Sequence, residues 1–358
     1  MKITFVLPTL GMSGGLRVVA IYAQWLVAHG HQVTLVSQPH AQPPWTQRLR
    51  GLLSGAPVTA PSSRSHLDGL GLDHRTLATP RPVLDSDVPD ADVIIATWWE
   101  TAEWVAALSP AKGTKIYFVQ HHEVFAWLPQ DRCHASYRLP LHKIAVARWL
   151  QDVMARDYGD HDVDLVPNGV DMSQFFAAPR GKQARPTVGF LYAQADFKGV
   201  DITLAAVAQL RQRFPDLRAI SFGMEHPPAD VGPLDFVYNP AQDAIRDLYA
   251  ACDVWLTASR SEGFNLPAME AMACRTPVIS TRTGWPEEAI TDGVNGYLVN
   301  ISDTAALAQA AEHVLSLPDA HWRAISDAAF NTVRHSDWDS CARLFEQALL
   351  RRVAPARA

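Results

Sequence analysis

Two glutamates form the most informative chemical pattern in this 358-residue chain. Glu262 and Glu270 lie in the segment Ser261–Ala273, which reads SEGFNLPAMEAMA. Pro267 favours the first turn of a helix, which places Glu262 in the preceding loop and Glu270 about one turn inside the helix. Carboxylates accept hydrogen bonds from sugar hydroxyls, and backbone N–H groups around Gly263–Asn265 can hold phosphate oxygens. The simpler alternatives are a helix-capping role for Glu262 and a solvated helix face for Glu270.

A glycine loop near the start of the chain is a second candidate anion site. The segment Gly11–Gly15 lies between a predicted strand, Ile3–Leu7, and a predicted helix, Leu16–His29. Adjacent glycines let the backbone approach a ligand closely, and the helix N-terminus offers free N–H groups. The spacing differs from the G-x-G-x-x-G dinucleotide fingerprint, and no acidic residue ends the following strand. A plain tight turn is the alternative.

The elements around these segments form two successive α/β patterns. Short apolar runs alternate with helix-length amphipathic stretches, which is typical of parallel sheets. The pattern restarts after Ala177–Pro186, a linker by composition. We therefore predict Rossmann-like domains over 1–171 and 172–335, followed by a C-terminal helix in 336–358 that either packs locally or returns to the first domain. A short helix is also expected near Trp45–Leu53.

Composition excludes several function classes. The net charge is −6, and neither half of the chain is basic, so a nucleic-acid partner is not expected. Four widely spaced cysteines predict a reducing compartment and no structural zinc. No apolar stretch is long enough to span a membrane, and we expect a cytoplasmic protein. Neither a metal nor a cofactor is predicted, since the Asp-x-Asp repeats fall in loops and chance accounts for them: Asp85/Asp87, Asp90/Asp92, Asp160/Asp162 and Asp162/Asp164.

The Glu262–Glu270 segment resembles the E-x7-E segment of family 4 retaining glycosyltransferases of GT-B fold. The resemblance extends over nearly the whole chain, because four further segments follow the family's order: Gly14-Gly15, Val166–Asp171, Lys198-Gly199 and Gly293–Val299. It implies an α/β GT-B fold with two Rossmann-like domains facing a central cleft and a C-terminal helix crossing back to the first domain. The acceptor would bind residues 1–171, and the nucleotide-sugar donor would bind residues 172–335.

The resemblance also implies roles for individual residues. Glu270 would hold the ribose hydroxyls, and Glu262 would face the transferred sugar near its 3-hydroxyl and assist the transition state. Lys198 would neutralise the diphosphate, which Gly15 would approach from the first domain. The catalytic histidine would be His121 or His122, of which His121 is the better match, and a surface histidine pair in a loop is the alternative. The residues implied in catalysis are Glu262, His121 and Lys198, and those implied in binding the nucleotide-sugar are Gly15, Lys198, Glu262, Gly263, Phe264, Asn265, Glu270 and Tyr238.

Aromatic residues after two predicted strands are candidates for binding the acceptor. The segments Thr97–Thr101 and Gln120–Glu123 both follow strand ends, and aromatic faces stack on sugar rings. The acceptor candidates are Trp98, Trp99, His122, Glu123 and Trp127. For the tryptophans, ordinary packing in the core or at a domain interface is the alternative. A lipid-linked acceptor would bring the protein to the inner face of a membrane, although Arg132–Lys143 and Arg351–Ala358 offer only weak electrostatic contact.

Three positions depart from the family's pattern. The family pairs its lysine with an arginine five or six residues earlier, where this chain has Tyr192 and Ala193. Either one cation fewer holds the diphosphate, or another residue such as Arg17 or Arg260 replaces it. Asn265 stands where glycine is common. Arg275 replaces a further glycine and is expected to point away from the phosphate.

The expected function is retaining transfer of a sugar from a nucleoside-diphosphate sugar to a hydroxyl of a saccharide or lipid-linked saccharide, in bacterial surface polysaccharide or glycoconjugate synthesis. Two alternatives stay open at this point. One is a GT-B disaccharide phosphorylase or synthase that acts on free sugars. The other is a nucleotide-sugar-binding protein without turnover, which the missing arginine makes conceivable.

Overall fold

The computed structural model describes residues 1–40 and 64–353, and the helix expected near Trp45–Leu53 lies outside them. The chain divides into two compact units. The first comprises Met1–Val146, Leu150–Pro167 and Cys341–Ala358, and the second comprises Ala147–Trp149 and Asn168–Ser340. Among the described residues, no helix is both long and apolar enough to cross a membrane.

The first unit is built on a parallel sheet in the order β3-β2-β1-β4-β5-β6-β7. Its strands are β1 (Lys2–Thr9), β2 (Gln32–Gln38), β3 (Asp73–Thr76), β4 (Val93–Ala96), β5 (Thr114–Val119), β6 (His142–Ala145) and β7 (Val163–Leu165). Its helices are α1 (Gly14–Ala28), α2 (Trp99–Ala107), α3 (Gln130–Ser136) and most of α4 (Arg148–Tyr158). Strand β1 is apolar along most of its length because helices cover both faces of such a sheet. The strand order reverses between β1 and β4.

The second unit contains another parallel sheet, in the order β10-β9-β8-β11-β12-β13. Its strands are β8 (Thr187–Leu191), β9 (Arg218–Gly223), β10 (Asp235–Tyr238), β11 (Val254–Thr257), β12 (Val278–Thr281) and β13 (Gly296–Val299). Its helices are α5 (Val200–Arg213), α6 (Ile245–Ala250), α7 (Leu266–Ala273), α8 (Trp285–Ala289), α9 (Thr304–Ser316) and α10 (Asp319–Val333). The strand order reverses between β8 and β11, so ligands are expected beside the loops that follow these two strands.

The last helix, α11 (Trp338–Arg352), belongs to the first unit from Cys341 onward. Phe345 is buried, and its ring stacks on Tyr22 of α1 with the centroids 4.7 Å apart. On the same helix, Glu346 accepts a hydrogen bond from His31 at 2.7 Å. The apolar stripe of this helix therefore completes the core of the first unit.

Candidate active site

The reversal point of the second sheet brings Lys198 and Glu262 into contact. Lys198 ends a 3-10 helix, Asp196–Lys198, in the loop after β8, whereas Glu262 lies in the loop after β11. The Lys198 Nζ donates a hydrogen bond to Glu262 Oε1 at 2.8 Å. The Glu262 side chain is 8% exposed and that of Lys198 is 25% exposed. A carboxylate and an ammonium group therefore meet at the edge of the sheet where ligands bind.

Gly199 allows the two loops to approach this closely. Its φ angle is +60°, and a Cβ atom added there would lie 2.8 Å from the carbonyl carbon of Ala258 and closer still to its oxygen. The loops are joined by the backbone, since Phe197 accepts a hydrogen bond from Arg260 N at 2.7 Å. The Lys198 side chain thus reaches Glu262 because the next residue has no side chain.

Ser259 is a second partner of Glu262 that the sequence argument missed. Its hydroxyl is buried and donates to Glu262 Oε1 at 2.7 Å, so both hydrogen bonds converge on one oxygen of the carboxylate. The backbone oxygen of Ser259 is held in turn by the Thr281 hydroxyl at 2.6 Å. Gly284 was missed as well. Its φ angle is +65°, and an added Cβ would lie 2.9 Å from Glu262 Cβ. Ser259 follows β11 and Gly284 follows β12, and their positions just after strand ends were the available signal.

Helix α7 presents the rest of the glutamate segment. Asn265 is the N-cap residue, at φ +79°, and its side chain accepts from Ala268 N at 3.3 Å and donates to Thr257 at 2.9 Å. These two hydrogen bonds fix the orientation of the Asn265 side chain at the start of the helix. Glu270 is buried one turn inside the helix, where its Oε2 accepts a hydrogen bond from the Tyr249 hydroxyl at 2.9 Å. Nothing in the sequence pattern pointed to Tyr249.

Three other residues expected to contact the nucleotide-sugar lie in different environments. Gly263 is buried, and the buried ring of Phe264 stacks on Trp285 with the centroids 5.5 Å apart. Tyr238, at the end of β10, is 51% exposed and stacks on His226 at 4.3 Å. The Phe264 ring therefore packs inside the unit, whereas the Tyr238 ring is exposed and stacks on one neighbour.

Arg260 does not supply an uncommitted cation. Its guanidinium forms a bidentate ion pair with Asp201, with distances of 3.0 and 2.6 Å, and also contacts Asp196. Arg275 is also engaged, since it pairs with Asp327 and its guanidinium lies 4.2 Å from the centroid of the Phe330 ring. Arg17, the other candidate, lies in the first unit on α1.

In the first unit, the glycine loop after β1 approaches the loop after β5. Ser13 caps α1, because its hydroxyl accepts from Leu16 N at 3.4 Å. A Cβ atom on Gly15 would lie 3.3 Å from the side-chain nitrogen of Gln120, which immediately precedes the histidine pair. The side-chain oxygen of Gln120 is buried without a hydrogen-bond partner. The first turn of α1, which carries Gly15, and the loop that carries His121 are therefore neighbours.

The two histidines differ in environment. His121 is half-buried, and its Nδ1 lies 3.0 Å from His122 O. Since a carbonyl oxygen only accepts, Nδ1 carries the proton of the neutral ring and Nε2 is its unprotonated nitrogen. The His122 Nε2 lies 2.7 Å from the Tyr158 hydroxyl. Burial, followed by the nearby His134 and His121, lowers the pKa of His122 to about 4, so this ring is neutral at pH 7.

Two of the acceptor candidates lie in the core of the first unit. Trp99 and Glu123 are each 3% exposed. Glu123 Oε2 instead accepts hydrogen bonds from Trp99 N at 2.7 Å and from the Tyr117 hydroxyl at 3.1 Å. Burial raises the pKa of Glu123 well above its usual range. A strand-end position and an aromatic or acidic type did not distinguish these core residues from surface ones.

Two other aromatic candidates stay accessible. Trp127 is 61% exposed and stacks on Phe125, with the ring centroids 4.5 Å apart and the planes 7° from parallel. Phe125 in turn contacts the His121 ring at 5.0 Å. Trp98 is half-buried at the N-terminus of α2. Beside His121, the half-buried Phe125 ring and the exposed Trp127 ring thus form a stacked aromatic pair.

No group of three or more His, Cys, Asp or Glu side chains within 1–40 and 64–353 is arranged to hold a metal ion. The Asp-x-Asp residues are engaged elsewhere. For example, Asp87 pairs with Arg81 at 2.6 Å, and Asp160 pairs with Lys143 at 2.6 Å.

Comparisons with known proteins agree with this architecture. A family model described as Glycosyltransferase Family 4 matches residues 12–174, and one described as Glycosyl transferases group 1 matches residues 185–316. Sucrose-phosphate synthase from Thermosynechococcus elongatus superimposes with a TM-score of 0.73 at 18% identity, over 98% of both chains. Anabaena HepE in complex with UDP-glucose superimposes with a TM-score of 0.74 at 18% identity, over 98% of this chain and 100% of that one. The protein therefore has the GT-B fold, as predicted.

Sequence relatives cover less of the chain. The D-inositol 3-phosphate glycosyltransferase of Frankia alni is 30% identical over 223 residues, which are 54% of this chain and 54% of that protein. The match thus spans about half the length of this curated relative. From the two family models and the fold, the chain belongs to the family 4 glycosyltransferases.

Proposed function

We propose that this protein transfers a sugar, with retention at the anomeric carbon, from a nucleoside-diphosphate sugar to a hydroxyl of a saccharide or lipid-linked saccharide. The observation that carries the proposal is the contact of 2.8 Å between Lys198 and Glu262 at the reversal point of the second sheet. It places a cation and a carboxylate side by side where open α/β sheets bind ligands. Bacterial surface polysaccharide or glycoconjugate synthesis is the process that such a reaction would serve.

In the proposed reaction, the bond between the anomeric carbon and the phosphate oxygen breaks, and a bond to the acceptor oxygen forms on the same face of the sugar. The acceptor proton passes to the departing phosphate. Lys198 stabilises the charge that grows on the diphosphate, and Glu262 contacts the sugar and assists the transition state. Such electrostatic help is most effective when the groups are held in place before the reaction, as Ser259 and Lys198 hold the Glu262 carboxylate.

The remaining residues would bind the two substrates. Glu270, held by Tyr249, would accept hydrogen bonds from the ribose, and the exposed Tyr238 would face the base. In the first unit, Gly15 would admit the diphosphate and His121 would act near the transferred sugar. The accessible acceptor candidates are Trp98, His122 and Trp127, with the Trp127 ring the most exposed.

We also propose that the reaction needs no metal ion. Lys198 and the N-terminus of α7 would provide the positive potential that a metal provides in other transferases. Transfer that persists in excess EDTA would support this, and transfer that EDTA abolishes and Mg²⁺ or Mn²⁺ restores would overturn it.

A screen of nucleotide-sugars tests the proposal directly. The purified protein is heated with UDP-, GDP-, ADP- and dTDP-sugars, and a true substrate at 100 times its Kd should stabilise the protein by about 2.7 kcal/mol. Transfer of the labelled sugar from each stabilising compound to candidate acceptors is then measured, and the anomeric configuration of the product is determined by NMR.

Two site variants and one matched control complete the test. Lys198→Ala and Glu262→Gln should each lower the transfer rate by about 100-fold or more, the scale of a lost charge-stabilising group. Arg323→Ala removes an ion pair of 2.6 Å with Asp319, in the same unit but outside the site, and should leave the rate unchanged. Wild-type rates in both site variants would refute the assignment of this site.

A further inference from the structure

A buried hydrogen-bond network holds the backbone of the loop that carries His121. Tyr137 is the C-cap residue of α3 and is fully buried. Its hydroxyl donates to His121 O at 3.1 Å and accepts from Glu123 N at 2.8 Å. One phenol group therefore forms hydrogen bonds to the backbone on both sides of His122, through its single proton and one lone pair.

The network is anchored to three elements of the first unit. The Glu123 carboxylate receives hydrogen bonds from Trp99 N, in the first turn of α2, and from the Tyr117 hydroxyl on β5. The rings of Tyr117 and Tyr137 are stacked, with the centroids 5.4 Å apart and the planes 13° from parallel. Burial also raises the pKa of Tyr137 well above its usual range, so its hydroxyl keeps the proton that it donates to His121 O.

The geometry points to Tyr137 as a positioning residue for His121, a role that rests on the function proposed above. The His121 ring is oriented by its own hydrogen bond from Nδ1 to His122 O at 3.0 Å. Tyr137 holds the carbonyl of His121 and the N–H of Glu123, the backbone groups on either side of His122. Because the N–H of Glu123 belongs to the same peptide group as His122 O, these hydrogen bonds fix the oxygen that accepts from the His121 ring. Tyr137 thus sets the direction in which Nε2 points without touching a substrate.

Replacing the hydroxyl alone isolates this role. Tyr137→Phe keeps the stacked ring but leaves His121 O and Glu123 N without their buried partner, and the loop must shift to satisfy them. We expect kcat for transfer to fall by about 10- to 100-fold, because displacements of about 1 Å near a reacting group have effects of this size. The KM for the nucleotide-sugar should change by less than about threefold, since the residues proposed to bind the ribose and base lie in the second unit.

Tyr117→Phe is the matched control. It removes a hydroxyl of similar burial from the same network. Tyr117 bonds to the Glu123 carboxylate and also interacts with the Tyr137 hydroxyl, but it makes no hydrogen bond to the backbone of His121. Its kcat should therefore stay close to that of the wild type. An equal fall in kcat in both variants would mean that the network is only structural, and would overturn the positioning role.

A spectroscopic measurement tests the inference without turnover. In protein with 15N-labelled histidine, the ring signals of His121, assigned by their loss in His121→Gln, should show Nδ1 protonated and Nε2 unprotonated near pH 8. Tyr137→Phe should shift these signals or mix the tautomers, and Tyr117→Phe should not. Unchanged His121 signals in Tyr137→Phe would overturn the inference. If the wild type transferred no sugar from any nucleotide, the proposed function would fail, while the ring signals would still decide whether Tyr137 positions His121.

Discussion

The close approach at Gly199 makes Gly199→Ala a sharp test of the donor-side geometry. The added Cβ would start 2.8 Å from the Ala258 carbonyl carbon, whereas ordinary contact begins at 3.4 Å. The two loops must therefore separate by at least about 0.6 Å, and by more to clear the carbonyl oxygen. Since Lys198 is the preceding residue, this separation acts directly on its hydrogen bond of 2.8 Å to Glu262.

The expected magnitudes follow from two separate costs. An alanine in the left-handed region costs about 1–2 kcal/mol of stability. Overpacking against a backbone group adds about 1–3 kcal/mol. Displacement of Lys198 should lower kcat for sugar transfer by up to about 100-fold, as a misplaced catalytic group does.

Gly293→Ala is the control that separates the backbone strain of an alanine at positive φ from the displacement of Lys198. Gly293 lies in the same unit at φ +74°, and its added Cβ would meet only the Tyr297 hydroxyl, at 4.0 Å. Gly293→Ala should lower the free energy of unfolding by about 1 kcal/mol, which is about 2–4 °C in Tm for a unit of this size, and should leave kcat unchanged. Thermal unfolding and initial transfer rates are measured on both variants. If Gly199→Ala lost no more activity than Gly293→Ala, the close approach would not be what positions Lys198.

Three further perturbations have defined outcomes. Ser259→Ala should lower kcat about tenfold, because it removes one hydrogen bond to the charged Glu262 carboxylate. The control is Ser326→Ala, which removes a buried hydroxyl that donates to the backbone carbonyl of Arg275 instead and should leave kcat unchanged. Steady-state kinetics of the two variants tests this difference. Tyr249→Phe should weaken binding of the nucleotide product about tenfold, measured by calorimetry, because Glu270 loses the hydrogen bond that Tyr249 donates to its carboxylate; unchanged affinity would mean that this hydrogen bond does not position Glu270 for binding. His122 is kept neutral in the folded protein by its lowered pKa of about 4, so between pH 6.5 and 4 only the unfolded chain binds a proton at this residue. The free energy of unfolding should therefore fall as the pH drops through this range. His122→Phe should make this fall shallower in urea titrations, and an identical dependence on pH would contradict the assignment.

The local sequence pattern was sufficient to predict the parallel strands and the loop and helix of the glutamate segment. Strands β8 and β11 are short, largely apolar runs of the kind that the sequence pattern predicts, because strands covered on both faces are continuous apolar runs. The loop before α7 and the position of Glu270 inside that helix also follow from local rules, since Pro267 and the N-cap residue set where the helix begins. By contrast, β3 escaped prediction because this edge strand, Asp73–Thr76, is polar and exposed.

The sequence by itself determined the family, the two successive α/β patterns and the residue types available for chemistry, because these depend on neighbours along the chain. Only the tertiary structure decided which residues meet. Glu262 could be named from its motif, but its bonds to Lys198 and Ser259 arise where two loops converge at the edge of a sheet. Trp99 and Glu123 had the types and positions of acceptor residues, and both are core residues instead. Burial and pairing depend on elements that are distant in sequence, and no local pattern encodes them.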